Sequence, residues 1–221
     1  MEKNPEKNLK LGLFGGTFDP VHYGHINTAK EIHNRFNLFK TIFIPANIPP
    51  HKKIPATEPV HRLKMVKLAV LGLDIFEVSD TEIIRDGNSY SFQTIEYFKK
   101  FYKSRAELFF ILGIDIFLEI STWKNYPSFF SESNFIVMNR PGYTNIKPGD
   151  ILPSNIASEF ESTHGSNSFK HKSGYCIYYV NVTPYDISST DIRGKIKREQ
   201  ETTGLISDKI SEYIKTNNLY K

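Results

Sequence analysis

Two glycines, a turn-forming Asp-Pro pair and two histidines three positions apart fall within residues 15–25, GGTFDPVHYGH. Gly15 and Gly16 have no side chains, so a large anion can lie directly on their backbone. Thr17 adds a hydroxyl and an N–H. The pattern turns helical around His25, and the first turn of a helix presents unsatisfied N–H groups and a positive dipole end to a phosphate. A helix starting near His22 lets His22 and His25 face one point. Imidazole nitrogens donate hydrogen bonds to phosphoryl oxygens, and a protonated ring adds compensating charge. The chemistry this suits is stabilisation of charge that builds on a transferring phosphoryl group. The glycine spacing is neither G-x-G-x-x-G nor G-x-x-x-x-G-K-S/T, which argues against a dinucleotide dehydrogenase and a P-loop ATPase.

A second cluster lies late in the chain, in ISSTDIR at 187–193. Ser188, Ser189 and Thr190 are helix-capping types with hydroxyls to offer, and Arg193, one turn on, supplies a forked cation.

These residues must be held by strands and helices that the hydrophobic pattern predicts. Short apolar runs at 9–14, 41–44, 75–78, 107–112, 135–138 and 175–182 read as strands. Helical spacing marks Ile26, Ala29, Ile32 and Phe36; Leu63, Val66, Ala69 and Val70; Phe92, Ile95, Phe98 and Tyr102; then the stretch after Ser189 and the one around Ile206, Ile210 and Ile214. Strands alternating with helices predict a Rossmann-like α/β fold, a mostly parallel sheet with helices on both faces, in a single domain over 1–221. The loops after Phe14, Ile44, Leu112 and Val182 all follow strands and are expected along one edge of the sheet, where such folds bind ligands. The stretch 144–173 is polar and is expected to be a surface insertion or mobile loop. His164 and His171 lie in it without metal-ligand spacing, so a solvated loop is the reading there.

Composition narrows the function. A net charge of +4 suits small anionic substrates better than a nucleic-acid surface, and no Lys/Arg cluster points to nucleic acid. One cysteine, Cys176, excludes an intrachain disulfide and argues against a zinc site. The polar start and the short apolar run after it fit neither a signal peptide nor a membrane span, so a reducing cytoplasm is the default. No pattern sets the oligomeric state, and a homo-oligomer stays open.

The residues at 15–25 and 187–193 resemble the paired signatures of the HxGH nucleotidyltransferases, Rossmann-like relatives of class I aminoacyl-tRNA synthetases. Within them, the chain is similar nearly end to end to the bacterial nicotinate-nucleotide adenylyltransferases: IPANIPPHK at 44–52, NSYSFQT at 88–94, GIDIFLEISTW at 113–123, NRPGY at 139–143 and the terminal YIKTNNLY all fit. The resemblance implies joining of ATP and nicotinate mononucleotide to nicotinate adenine dinucleotide and pyrophosphate, in NAD biosynthesis. It implies that Gly15, Gly16, Thr17, Phe18, His22, Gly24 and His25 hold the ATP phosphates, with His22, His25 and Arg193 as the catalytic set. Gly113 and Asp115 meet the adenosine ribose, and Ser188, Ser189, Thr190 and Arg193 close on the triphosphate. Trp123 stacks on the pyridine ring, the backbone at Tyr90 and Ser91 receives its carboxylate, and Lys52 attracts the mononucleotide phosphate. Mg²⁺ would arrive with ATP, bound mainly through phosphates and not through a protein metal site. Ser91 stands where the family has Thr. Two alternatives stay open: another HxGH transferase, on pantetheine phosphate, nicotinamide mononucleotide or a cytidylyl donor, and an inactive nucleotide-sensing or RNA-binding module.

Overall fold

The computed structural model describes residues 9–49, 55–85, 87–140, 142–143, 146–163 and 167–221. The strands are β1 (Leu9–Gly16), β2 (Lys40–Pro45), β3 (Phe76–Val78), β4 (Ala106–Gly113), β5 (Asn134–Asn139), β6 (Phe160–Ser162), β7 (Ser168–His171) and β8 (Cys176–Asn181). The longer helices are α1 (Tyr23–Phe36), α2 (Pro59–Ala69), α3 (Ser91–Tyr102), α8 (Ser189–Lys197) and α9 (Asp208–Thr216). The one-turn helices are α4 (Ile114–Phe117), α5 (Tyr126–Phe129), α6 (Pro148–Ile151) and α7 (Ser154–Ala157). The six strands expected from the apolar runs and the five longer helices all form. The sheet order is β3-β2-β1-β4-β5-β8-β7-β6, the doubly wound order with a hairpin added at one edge.

Contact clustering divides the chain into two compact units. One holds residues up to Leu13, Asn37–Phe39 and Tyr90–Val182; the other holds Phe14–Phe36, Lys40–Ser89 and Thr183–Lys221.

In the first unit β4 pairs parallel with β5, setting Phe110 beside Phe135, and β5 pairs parallel with β8, setting Val137 beside Tyr179. Phe109–Leu112 and Phe135–Val137 are buried residue after residue, without the alternation of a half-wet strand. Such runs are what a parallel strand covered on both faces requires. The stretch 144–173 departs from the expected loop. It contains α6, α7, β6 and β7, with Leu152, Ile156 and Ser168 buried. β6 and β7 form an antiparallel hairpin, and β7 pairs antiparallel with β8. His171, expected in a solvated loop, is 3% exposed. Its Nε2 lies 2.8 Å from Glu159 Oε2, and its Nδ1 accepts the Ser173 N–H at 3.2 Å. His164 lies outside the described residues. The buried residues of the hairpin are the polar Ser168 and His171, so it has little hydrophobic periodicity to betray it.

In the second unit β2 pairs parallel with β3, with Thr41 opposite Phe76. The inward face of α2 differs from the apolar face expected. Val66 and Val70 are buried, but Leu63 and Ala69 are half-exposed, and the fully buried residues beside Val66 are Arg62 and Met65. α9 packs on α2, where Ile210 and Ile214 are buried and the Tyr213 hydroxyl lies 2.9 Å from Nδ1 of His61. Among the described residues no helix is long and apolar enough to cross a membrane.

Candidate active site

In the second unit, the loop after β1 is shaped by packing. A Cβ on Gly16 would lie 2.7 Å from Cζ of Phe18, so only glycine lets that ring fold back over the end of the strand. Phe18 sits in the left-handed region at φ 51°, which costs a bulky residue energy unless its surroundings fix it. They do: its ring lies 5.7 Å from Phe14, 5.6 Å from Phe43 and 5.1 Å from His25. The Asp19–Pro20 peptide is cis.

α1 then begins at Tyr23, so His22 and His25 flank its first residues. Their rings lie against each other with centroids 3.7 Å apart and planes tilted by 32°. Gly24 makes this arrangement possible, because a Cβ there would come within 3.0 Å of His22 Nδ1. The His22 backbone N–H donates to Nδ1 of His25 at 3.3 Å. A ring nitrogen that accepts carries no proton, so the neutral His25 ring bears its hydrogen on Nε2 and donates there. His22 is 7% exposed, and burial pushes its pKa down to about 4. This corrects the expectation of two chargeable imidazoles: His22 is neutral at pH 7, because taking an imidazolium out of water is costly. Its Nδ1 is buried without a hydrogen-bond partner among the described residues.

The second signature docks on the first. Ser188 caps α8, its Oγ accepting the Asp191 N–H at 3.1 Å. Ser189 Oγ donates to the Pro20 carbonyl at 2.9 Å. Arg193 donates from Nη1 to the Asp19 carbonyl at 2.7 Å and from Nη2 to Thr190 Oγ1 at 3.2 Å. The loops after β1 and β2 are joined as well. Ala46 N–H donates to the Gly16 carbonyl at 2.9 Å. The buried Arg62 guanidinium donates to the carbonyls of Thr17, Asn47 and Thr57 at 2.9, 2.8 and 3.1 Å, and to that of Ala46. Three of the four suspect loops, those after Phe14, Ile44 and Val182, thus belong to one unit and are tied together there. Gly15, Gly16, Thr17, Phe18, His22, Gly24, His25, Ser188, Ser189, Thr190 and Arg193 all lie in it.

The remaining candidates lie in the first unit. Gly113 caps α4, and a Cβ on it would touch nothing within 4 Å, so local packing does not demand glycine there. Asp115 pairs with Arg140, Oδ2 to Nε 2.9 Å, at the surface. Trp123 is half-buried and meets Phe110 edge-on at 6.5 Å and Phe129 at 5.7 Å. Tyr90 precedes α3 at its N-cap, where no side chain caps the helix, and Ser91 is the first helical residue. Lys124 Nζ lies 5.0 Å from the centroid of the Tyr90 ring. Lys52 falls outside the described residues.

Sequence reasoning missed Asp19, Arg62, Arg140 and Tyr220 as parts of these constellations. Asp19 reads only as a turn former, Arg62 has no reading of its own beside the apolar residues of its helix, and Arg140 and Tyr220 read as residues of matching segments without a role. The one available signal was the position of Arg62, which directly precedes the helix face of Met65 and Val66.

The cytidylyltransferase-like family profile matches residues 13–195, and the chain belongs to that family. A protein of Thermoanaerobacter sp. (strain X514) is 40% identical over 217 residues, 98% of this chain and 96% of that one. A protein of Geobacter sp. (strain M21) is 40% identical over 213 residues, 96% of this chain and 98% of that one. Both are named "Probable nicotinate-nucleotide adenylyltransferase". Within the family, therefore, the chain belongs to the nicotinate-nucleotide adenylyltransferases. The fold is also that of the Plasmodium falciparum nicotinic acid mononucleotide adenylyltransferase complexed with NaAD, at TM-score 0.71 and 18% identity over 96% of this chain and 98% of that one.

Proposed function

We propose that this chain transfers the adenylyl group of ATP to the phosphate of nicotinate mononucleotide, giving nicotinate adenine dinucleotide and pyrophosphate, a step of NAD biosynthesis. The observation that carries the reading is the close His22–His25 pair at the start of α1, with Ser189 and Arg193 tied to the same loop. The choice of acceptor rests on relatives at 40% identity that bear the nicotinate-nucleotide name.

The mononucleotide phosphate attacks the α-phosphorus of ATP in line, a P–O bond forms, and the bond to pyrophosphate breaks. The nucleophile is already an anion, so no protein base is required, and catalysis consists of positioning and charge stabilisation. The loop at Gly15, Gly16, Thr17 and Phe18 holds the triphosphate on its backbone, with Gly24 giving the histidines their room. His25 donates from Nε2 to a phosphoryl oxygen, and the neutral His22 sets the His25 ring from behind. Ser188, Ser189, Thr190 and Arg193 close on the phosphates from α8. Gly113 and Asp115 take the ribose; the bare Cα of Gly113, which no neighbour demands, suits a ligand lying against the backbone. Trp123 stacks on the pyridine ring, the N–H groups around Tyr90 and Ser91 take its carboxylate, and Lys52 draws in the mononucleotide phosphate.

The donor set around the phosphate loop fits Mg²⁺ held through phosphate oxygens and water. The carboxylates of Asp19 and Asp191 are already engaged, Asp19 accepting from Tyr220 and Ala56 and Asp191 Oδ2 accepting from the Ser188 hydroxyl, so they are not arranged as metal ligands. When bound, the ion neutralises charge on the triphosphate.

Pyrophosphate release from ATP, measured with nicotinate mononucleotide and separately with nicotinamide mononucleotide, tests the reading. Strong turnover with the acid alone is expected. Comparable turnover with both removes the acid preference, and turnover with neither overturns the assignment.

A further inference from the structure

One buried polar group of the phosphate loop is not among the candidate catalytic residues. Asp19 is 4% exposed, and both of its carboxylate oxygens are engaged. Oδ1 accepts the hydroxyl of Tyr220 at 2.7 Å. Oδ2 accepts the N–H of Ala56, also at 2.7 Å. Its backbone carbonyl is the one that receives Arg193. A single residue therefore joins the loop after β1, the segment leading into α2, α8 and the C-terminal end of the chain.

Tyr220 is the penultimate residue of 221. It does not reach Asp19 by local preference. α9 ends at Thr216, and both Asn218 and Tyr220 then hold left-handed backbone, φ 52° and 66°. For a bulky Tyr that conformation is unfavourable and persists only where the surroundings impose it. What imposes it is the docking of α9 on α2 and the hydroxyl's bond to a buried carboxylate. Burial and the neighbouring Asp19 both push the Tyr220 phenol well above its ordinary range, so the hydroxyl keeps its proton and remains a donor. Beside it, the Arg62 guanidinium, flanked by the charge of Asp19, holds the Thr17, Ala46 and Asn47 carbonyls. These bonds tie the loop after β1 to the loop after β2.

We propose that Tyr220 is a positioning residue for adenylyl transfer, acting through Asp19 to hold the phosphate loop and Arg193 in one fixed arrangement. The proposal rests on the transfer reaction proposed above. The geometry it invokes is also measurable without substrate.

Tyr220→Phe removes one oxygen and nothing else. Because small displacements of positioned groups cost much of the rate, we expect kcat per folded molecule to fall about tenfold in this variant. Amide hydrogen exchange of residues 15–22 in the ligand-free protein should quicken, while exchange in β4 and β5 stays unchanged. Asp19→Asn should give a similar fall. The double variant should lose no more than the larger single one, because the hydroxyl acts only through the carboxylate. Deletion of Lys221 alone should leave kcat unchanged. Four outcomes overturn the proposal: Tyr220→Phe with kcat within about twofold of the unchanged enzyme, losses that add in the double variant, unaltered exchange at 15–22, or a Tyr220→Phe chain that does not fold, which would make the hydroxyl a determinant of the fold itself. If the unchanged protein has no activity, the transfer reading has failed, and the exchange measurement alone still decides whether Tyr220 holds the loop.

Discussion

The two units treat their candidate residues in opposite ways. Around the phosphate loop the polar groups are bonded to one another, and two of them are buried: Arg62 holds four carbonyls and Asp19 meets Tyr220 and Ala56, while the half-buried Ser189 and Arg193 donate to the Asp19–Pro20 backbone. Around Trp123 the frame is aromatic. Phe110 and Phe129 fix the indole from its edges, and the polar candidates, Asp115 with Arg140 and Lys124 over Tyr90, stand near the surface. The difference teaches what each half of the reaction asks of a protein. Charge developing on phosphorus is stabilised by dipoles that do not have to reorganise, and rigid bonding supplies them. A flat heterocycle is recognised by shape and stacking, for which an apolar wall suffices.

Several measurements would break or sharpen that contrast. The largest effect is expected at His25. His25→Ala should lower kcat by roughly 10²- to 10³-fold, the usual cost of one oriented donor at a developing charge, with little change in melting temperature; normal turnover would remove His25 from the chemistry. Next comes Arg62→Met, which leaves buried carbonyls without a donor. Breaking such a network costs on the order of 3 kcal/mol of stability, so denaturant unfolding should show a marked loss, and an unaltered midpoint would contradict the role given to Arg62.

The buried imidazole makes its own prediction. His22 binds a proton in the unfolded chain below about pH 6.5 but in the folded chain only near pH 4. The unfolded state therefore holds more protons in between, and stability should fall as pH drops from about 6.5 toward 4, by on the order of 2 kcal/mol at the acid end. The buried His33, whose pKa is lowered mainly by burial, contributes with the same sign. His22→Gln should flatten the pH dependence of unfolding, and an unchanged slope would place the effect elsewhere.

In the aromatic region the expected losses are smaller and fall on binding. Trp123→Ala should raise KM for nicotinate mononucleotide about tenfold, as the loss of one ring stack does, with KM for ATP little moved; the reverse pattern would give the indole to the other substrate. Arg140→Ala is the mildest. Its partner pair is 70% and 41% exposed, and exposed ion pairs contribute well under about 1 kcal/mol, so melting should barely shift. A large stability loss there would mean that the surface frame is as rigid as the buried one.

Much of this was legible in the chain. GGTFDPVHYGH announced a strand, a tight loop and a helix start, and Gly16 and Gly24 leave room for the Phe18 and His22 rings beside them. ISSTDIR announced a cap, and Ser188 is that cap. These features depend on neighbours a few residues away, so the local sequence carries them. The hairpin within 144–173 was not legible, since its buried residues, Ser168 and His171, are polar and leave no periodic apolar pattern. Arg62 was not singled out, for a related reason: a charged residue on a helix is normally solvated, and only carbonyls from other loops make its burial tolerable.

The sequence by itself therefore determined the six main strands and five longer helices, the glycines of the loop and the residue types proposed to face phosphate, because propensity, periodicity and capping act over a turn or two. The tertiary structure alone decided that His22 is neutral, that Arg62 lies inside, that Asp115 faces Arg140, and that Tyr220 meets Asp19. Each of these follows from desolvation or from a partner brought close by folding, and those forces depend on distance in space, not on separation along the chain.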